Sequence, residues 1–483
     1  MLYSDLIGKF ARKPKLALFA IVVFGIFLRL VFFSGMDASD SLRYSKTAND
    51  INIGKGIDLN GALTLSTRLG LIYPTAFSYK LFGINDISSV LFVLLTSIAM
   101  IVLVFYFGRL LFSDRVGLMA AFLLSFFPLE VAYSTKLFSD LPSAFFMALG
   151  VYLFLLSEIK KPGNSSFYFF SGISIGIGYM IRESALLIAL FFLCYMLYKK
   201  RVKKEYFLVP FGVLIVFAFE SLLFLGIAND PLFRFHASQQ HLEEASAAHD
   251  YFGRLDFPAG LFHYPYIILT SSLIAFFYIF IFIAIICLMK TREKNYYLLL
   301  LWFIPLLLYL SFGSSSLSAY IPFRAVDRYL EVITVPGMLI LAVFLLEKKK
   351  IIERMLAPLV IAILFSASVF SIYHDDRTDL DNLKNAYSLI RGFDKTAYAD
   401  SRTIKALGYI SGYSGDIDIK DYPSSLGAVE DAYIIVNKPF IKGLKDADKN
   451  KKFPAEIDSP LSSWVVIKEI GKAGYEIVVY YSA

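Results

Sequence analysis

From position 16 the chain reads LALFAIVVFGIFLRLVFF, and runs of this kind recur along most of its length. A segment of about 20 mostly apolar residues constrains a fold more than any motif. In a bilayer it must be a helix, because only a helix satisfies its own backbone polar groups there. Spans are expected near 15–34, 87–112, 116–133, 141–158, 167–182, 184–198, 206–227, 265–289, 296–312, 330–346 and 355–372, about eleven in all. The basic segments KPK (13–15), KK (160–161), KKRVKK (199–204), KTREK (290–294) and EKKKIIER (347–354) then fall on one side, with the N-terminus cytoplasmic. The N-terminal MLYSDLIGKFARKPK precedes a run without a small-residue cleavage site, which reads as a retained anchor in the plasma membrane.

Composition agrees with a polytopic α-helical membrane protein. Hydrophobic residues make up 57% of the 483 and charged residues 18%, against about 25% charged in soluble domains. The net charge of +7 follows from topology, so it gives no argument for nucleic acid. Cys194 and Cys287 lie inside separate apolar runs and read as packing residues, which excludes a disulfide framework. No G-x-x-x-x-G-K-[ST] loop and no G-x-G-x-x-G strand–helix signature is present.

The expected organisation is a transmembrane module over 1–372, with external loops at 35–86 and 228–264, followed by a small extracytoplasmic α/β domain over 373–483. In the first loop, LRYSKTANDINIG and YPTAFSYKLFG are amphipathic and suit juxtamembrane helices. In the C-terminal domain KTAYAD, AYIIVN, SSWVVIKEI and YEIVVYYS read as strands, and LDNLKNAYSLIRGF and SRTIKALGYISGY as helices.

Ionisable residues collect at the outer ends of spans. Asp37 and Asp40 follow the first, Asp140 follows the third with Glu130 deeper, Arg182 and Glu183 separate two spans, and Arg324, Asp327, Arg328 and Tyr329 precede the tenth. Singly each is an ordinary loop residue. Together they bring both signs of charge to one face from four segments. Arginines can hold a phosphate by bidentate bonds, and a carboxylate can take the proton of an attacking hydroxyl. That chemistry suits a lipid phosphate whose tail stays in the bilayer. His236, His241, His249 and His263 have no spacing that fits a metal site.

These residues resemble those of the GT-C glycosyltransferases, in the branch of protein O-mannosyltransferases and aminoarabinose transferases. Asp40, Tyr44, Ala48 and Gly54 match the acid, Tyr, Ala and Gly that open the family's first external loop, with Ser41 where a second acid is frequent. LIYPTAFSYKLFGIND, RLLFSDRVGLMAAFLLSFFPLEVAYSTKLFSDLPSAFF, GISIGIGYMIRESALLI and RYLEVITVPGMLILA resemble later blocks, in the same order over about 15–345.

The resemblance implies a sugar donor linked to polyprenyl or dolichyl phosphate, and inverting transfer to a hydroxyl of a protein, lipid or glycan acceptor. It implies Asp40 as general base, aided by Asp37 or Asp140, and Arg182, Arg324 and Arg328 on the donor phosphate. Tyr44, Glu183 and Tyr329 would line the substrate site. No nucleotide is needed; some relatives use a divalent cation and others do not, and Asp37, Asp40 and Asp140 offer oxygen ligands for one. The alternatives are a transporter or flippase of a lipid-linked or anionic solute, and a non-catalytic assembly subunit.

Overall fold

The computed structural model describes residues 13–59, 63–162, 164–247, 259–289, 294–314, 320, 323, 326–347, 351–375, 380–391, 395–415, 418–447, 452–471 and 476–483. The helices that matter for the site are, in chain order, α1 (Pro14–Val31), α2 (Asp40–Asn52), α3 (Leu69–Phe82), α4 (Asp86–Leu111), α5 (Asp140–Ile159), α6 (Ser165–Ile181), α7 (Leu208–Ala228), α8 (Phe233–Ala247), α9 (Lys294–Phe312) and α10 (Glu331–Glu347). Six helical segments among the described residues are long and apolar enough to cross a membrane, those of α1, α4, α5, α7, α9 and α10. Ser165–Ile181, Phe276–Leu288 and Ala357–Tyr373 are shorter apolar helices.

Two of the expected continuous spans are broken. Region 116–133 divides into Asp114–Ser125 and Pro128–Tyr133, because Pro128 starts a new helix and supplies no N–H to continue the old one. Region 265–289 divides into His263–Thr270 and Ala275–Leu288. The segment expected to span at 184–198 opens as a 3-10 turn, Glu183–Ile188, before Ala189–Lys199.

Packing within the bundle depends on small residues. A Cβ at Gly172 of α6 would lie 2.0 Å from the carbonyl oxygen of Val209, and one at Gly108 of α4 would lie 2.4 Å from Gly117 Cα. The backbones themselves are therefore in contact, as expected where no hydrophobic gain distinguishes helix from lipid. The first apolar run carries a charge that it does not expose. Arg29 is fully buried, donates from Nε and Nη2 to Ser97 Oγ at 2.9 and 2.7 Å and from Nη1 to Ser125 O at 3.1 Å, and faces Glu130 at 3.8 Å.

The C-terminal sheet is formed by β1 (Ala397–Ala399), β2 (Ile419–Asp421), β3 (Ala432–Asn437), β4 (Trp464–Ile470) and β5 (Ile477–Ser482), in the order β2-β1-β3-β5-β4. β1 runs parallel to β2 and β3, while β5 is antiparallel to β3 and β4. Helices α11 (Asp381–Ile390), α12 (Ser401–Ile410) and α13 (Lys438–Ala447) accompany it. The four strands and two helices expected from sequence are present; β2 and α13 were not anticipated.

Side chains alternate across the sheet as the pleat requires. Ile434, Val436, Val478 and Tyr480 build one core, and Tyr433, Ile435, Ile477 and Val479 face the other way. That second face is covered by Leu383 and Ile390 of α11 and Leu407 of α12, and this core does not stop at the domain. It packs in a single cluster with Met36, Ala38, Leu42, Tyr44 and Ala48 of the first loop and α2, and with Leu71, Ile72 and Tyr79 of α3.

Candidate active site

Each acid of the site opens a helix. Asp40 is the first residue of α2, Asp140 the first of α5, and Glu183 the first of the 3-10 turn after α6. Unpaired N–H groups at a helix start favour a negative charge there. Arg182 sits at the opposite pole, on the C-terminal end of α6 in extended conformation. Arg328 and Tyr329 lie in the 3-10 turn Asp327–Leu330 that leads into α10. Asp327 fixes this turn. Its carboxylate accepts from Tyr133 Oη at 3.0 Å, Ser271 Oγ at 3.1 Å and the Arg328 N–H at 2.7 Å.

These ends converge on Arg328. Its Nη2 lies 3.4 Å from Asp40 Oδ2 and its Nε 3.3 Å from Asp140 Oδ2, so one guanidinium spans both carboxylates. Arg182 Nη1 donates to the other oxygen of Asp140. Aromatic faces hold the two cations, Arg182 over Tyr329 at 4.3 Å and Arg328 over Phe138 at 4.2 Å. A cavity of about 60 Å³ opens between them, lined by Asp140, Arg182, Arg328, Tyr329 and Glu331 among others. Asp140 Oδ2 and Arg328 Nε are buried and face each other as an ion pair, without hydrogen-bond geometry between them. The two acids differ in access: the Asp140 side chain is 6% exposed and that of Asp40 39%.

A second charged chain runs behind the first. Arg234, on α8, donates to Glu183 Oε1 from Nη2 at 2.7 Å and from Nε at 3.0 Å, and to Glu220 of α7 at 2.6 Å. Arg68 lies 3.8 Å from Glu183 Oε2, donates to Ser139 Oγ at 3.0 Å, and also donates to the Tyr44 hydroxyl. Tyr44 is fully buried. Of the residues expected at the site, Asp40, Asp140, Arg182, Arg328 and Tyr329 are brought together directly. Tyr44 and Glu183 join through Arg68. Asp37 makes no hydrogen bond or ion pair with a described residue, and Arg324 lies outside the described residues. Ser41, at the place where a second acid is frequent, is buried and donates to Leu137 O at 3.1 Å.

Arg68 and Arg234 were missed. Each is a lone arginine among apolar neighbours, in LSTRLGL and PLFRFH, within a loop expected on the outer side. That isolation is the available signal. A divalent cation fits the arrangement poorly, since Asp40 and Asp140 meet across a guanidinium and not around a common point. No group of three or more His, Cys, Asp or Glu among the described residues could hold a metal ion. His236 pairs with Asp230 at 2.7 Å; His249 lies outside the described residues.

Residues 69–224 match the family model of dolichyl-phosphate-mannose-protein mannosyltransferase. No curated protein sequence matches the chain. Among solved structures, apo ArnT from Cupriavidus metallidurans is similar with a TM-score of 0.63 and 12% identity, covering 95% of this chain and 97% of ArnT. The same protein bound to undecaprenyl phosphate gives 0.59 over the same shares, again at 12% identity. Archaeal oligosaccharyltransferase AglB from Archaeoglobus fulgidus, in complex with an inhibitory peptide and a dolichol-phosphate, gives 0.55 at 13% identity, covering 98% of this chain and 75% of AglB. Six membrane-length apolar helices and these neighbours agree, and the chain is an integral membrane protein with the fold of the GT-C glycosyltransferases.

Proposed function

We propose that this protein transfers a sugar from a polyprenyl- or dolichyl-phosphate donor to an acceptor hydroxyl, with inversion, and that Asp40 is the general base. The observation that carries this reading is the Arg328 guanidinium, bridging Asp40 and Asp140 at 3.4 and 3.3 Å on the wall of a polar cavity. The donor phosphate binds Arg182 and Arg328 in charge-assisted bonds, with the isoprenoid tail in lipid. Tyr329 and Phe138 fix both guanidiniums by stacking. The acceptor oxygen attacks the anomeric carbon from the face opposite the phosphate, its proton passing to Asp40. The bond from that carbon to the phosphate oxygen breaks, and the departing lipid phosphate carries its new charge against the two arginines. Asp140, shielded and held by both arginines, orients them.

On this reading 1–372 is the membrane module and 373–483 an extracytoplasmic domain. Loops 35–86 and 228–264 then share the outer side of the plasma membrane with the site, and the N-terminus is cytoplasmic. The choice of donor class has its support in the comparisons: the family model is named for a dolichyl-phosphate-mannose enzyme, and ArnT and AglB structures hold undecaprenyl phosphate and dolichol-phosphate.

The test is product mass spectrometry on purified protein offered a panel of lipid-phosphate sugars and acceptors. A glycosidic product is expected with one donor, and Asp40→Asn should lower kcat by about 10²- to 10⁴-fold with donor affinity retained. A transporter would move lipid or solute and form no glycosidic bond. Unaltered transfer by Asp40→Asn would refute the assignment of the base.

A further inference from the structure

The segment that carries Asp40 is not fixed by its own sequence. Ser39 stands at the N-cap of α2, where a Ser side chain ordinarily bonds an N–H of the first turn. Here it makes no such bond, and its buried Oγ has no partner. The chain entering α2 is instead tied from more than 360 residues away: Arg402 of α12 donates from Nε to the carbonyl oxygen of Ala38, two residues before Asp40.

Arg402 is itself held. Its guanidinium lies over the Phe440 ring at 4.7 Å, and Asp400 caps its helix, accepting from the N–H groups of Arg402 and Thr403 at 3.0 Å each and from Thr403 Oγ at 2.6 Å. Further along α2, Tyr413 Oη donates to Ser45 Oγ at 3.0 Å, and Ser45 is linked to Tyr79 at 2.7 Å. Tyr79 joins Ser89 at 2.8 Å, Ser89 joins Tyr409 at 3.0 Å, and Tyr409 donates to Asp86 at 2.8 Å. The domain thus grips α2 at its entry and at Ser45, and Arg402 is the grip nearest Asp40.

We propose that Arg402 is a positioning residue for the transfer step: through Ala38 it sets where the Asp40 carboxylate stands, so the C-terminal domain governs turnover without touching substrate. This rests on the assignment of Asp40 as base. A displacement of about 1 Å at a reacting group can cost on the order of 10²-fold in rate. Losing the tie should therefore act on kcat, while Arg182 and Arg328, on other elements, continue to bind donor.

Arg402→Met keeps an apolar side chain beside Phe440 and removes the guanidinium donor. In the full-length purified protein it is expected to lower kcat about 10- to 100-fold with donor KM changed by less than about threefold. Arg402→Lys, which retains a cationic donor, should recover most of the loss. Hydrogen exchange of the backbone over 38–45 should quicken in Arg402→Met. In an Asp40→Asn background, Arg402→Met should add little further loss, because a residue acting through Asp40 has nothing left to position. Ser482→Ala, which removes the bond to Val429 O inside the domain, should lower thermal stability and leave kcat unchanged.

Wild-type kcat in Arg402→Met overturns the proposal. So does a loss that persists at full size on top of Asp40→Asn, since that is the behaviour of general destabilisation. Should Arg402→Met not accumulate, Arg402→Leu, which also lacks a donor, carries the same expectations. Full transfer by Asp40→Asn alone would instead remove the assignment of the base, leaving the Arg402–Ala38 tie as a structural contact.

Discussion

Arg328 does two things that no other side chain at the site can do together. Its Nε and Nη2 point at different carboxylates, 3.3 Å from Asp140 and 3.4 Å from Asp40. A lysine would keep the charge but offers one ammonium at the end of a flexible stem and cannot span both. Arg328→Lys is therefore expected to lower kcat/KM roughly 10²-fold, within the range for losing an oriented charge donor, and steady-state kinetics on the identified substrates would show it. Arg182 presents a different case. It holds the buried Asp140 directly, so Arg182→Met leaves a shielded carboxylate short of a partner. A destabilisation of about 3–5 kcal/mol, the scale for breaking a buried pair from one side, should appear as a lowered unfolding midpoint alongside lost transfer. Retention of wild-type stability would mean that water reaches Asp140 freely.

At the scale of elements, the close crossing of α6 and α7 makes a sharp prediction. Gly172→Val would drive a branched side chain into the Val209 carbonyl, and the helices must separate. A cost of about 1–3 kcal/mol is expected for such overpacking, measurable as thermal stability in detergent. A second concerns the dock of α11 on α4. Lys384 donates to Asp86 Oδ2 at 2.7 Å. Burial disfavours its charge, but Asp86 outweighs that and raises its pKa above the usual 10.5. A cation whose folded pKa is raised stabilises fully below the unfolded value and loses that contribution as pH rises through the folded one. Lys384→Met should thus cost the same small amount from pH 6 to pH 9, at most roughly 1 kcal/mol for a half-exposed pair, and the difference should vanish only in strong alkali.

Elements also decide how far the sequence could be read. Apolar length located α1, α4 and α5, and alternation located β3 and β5, because both signals are local. The same reading made one span of 116–133, since hydropathy averages over the break before Pro128. It missed β2, which is three residues long, and α13, whose short run carries Pro439 in its first turn and Gly443 in its middle. At the site, Asp40, Asp140, Arg182 and Arg328 stood out because each ends an apolar run. Arg68, Arg234 and Arg402 did not, because their significance lies in partners 71, 51 and 364 residues away, separations that no periodicity encodes.

The molecule as a whole is less divisible than its sequence suggests. Composition changes abruptly near residue 373, yet one hydrophobic cluster contains Leu42 and Tyr44 of α2, Leu71 of α3, Leu383 of α11, Leu407 of α12 and Val479 of β5. Removing everything after residue 372 would strip cover from the helix that carries Asp40. Such a truncated chain is expected to lose transfer entirely and to show rapid proteolysis within 38–60, while α4 and α5 stay protected; limited proteolysis with mass mapping would test it. If the truncated chain kept activity, the docked domain would have no part in ordering α2.

The shared guanidinium has one more consequence. On the proposed mechanism, the Asp40 oxygen that would meet the acceptor hydroxyl is already in contact with Arg328. An incoming phosphate competes for Arg328, and in winning it releases the carboxylate. Such an interlock would impose a sequence on the proposed transfer: acceptor oxygens reach Asp40 only after the lipid carrier is seated. Initial-rate patterns with both substrates varied should accordingly be those of ordered addition, donor first.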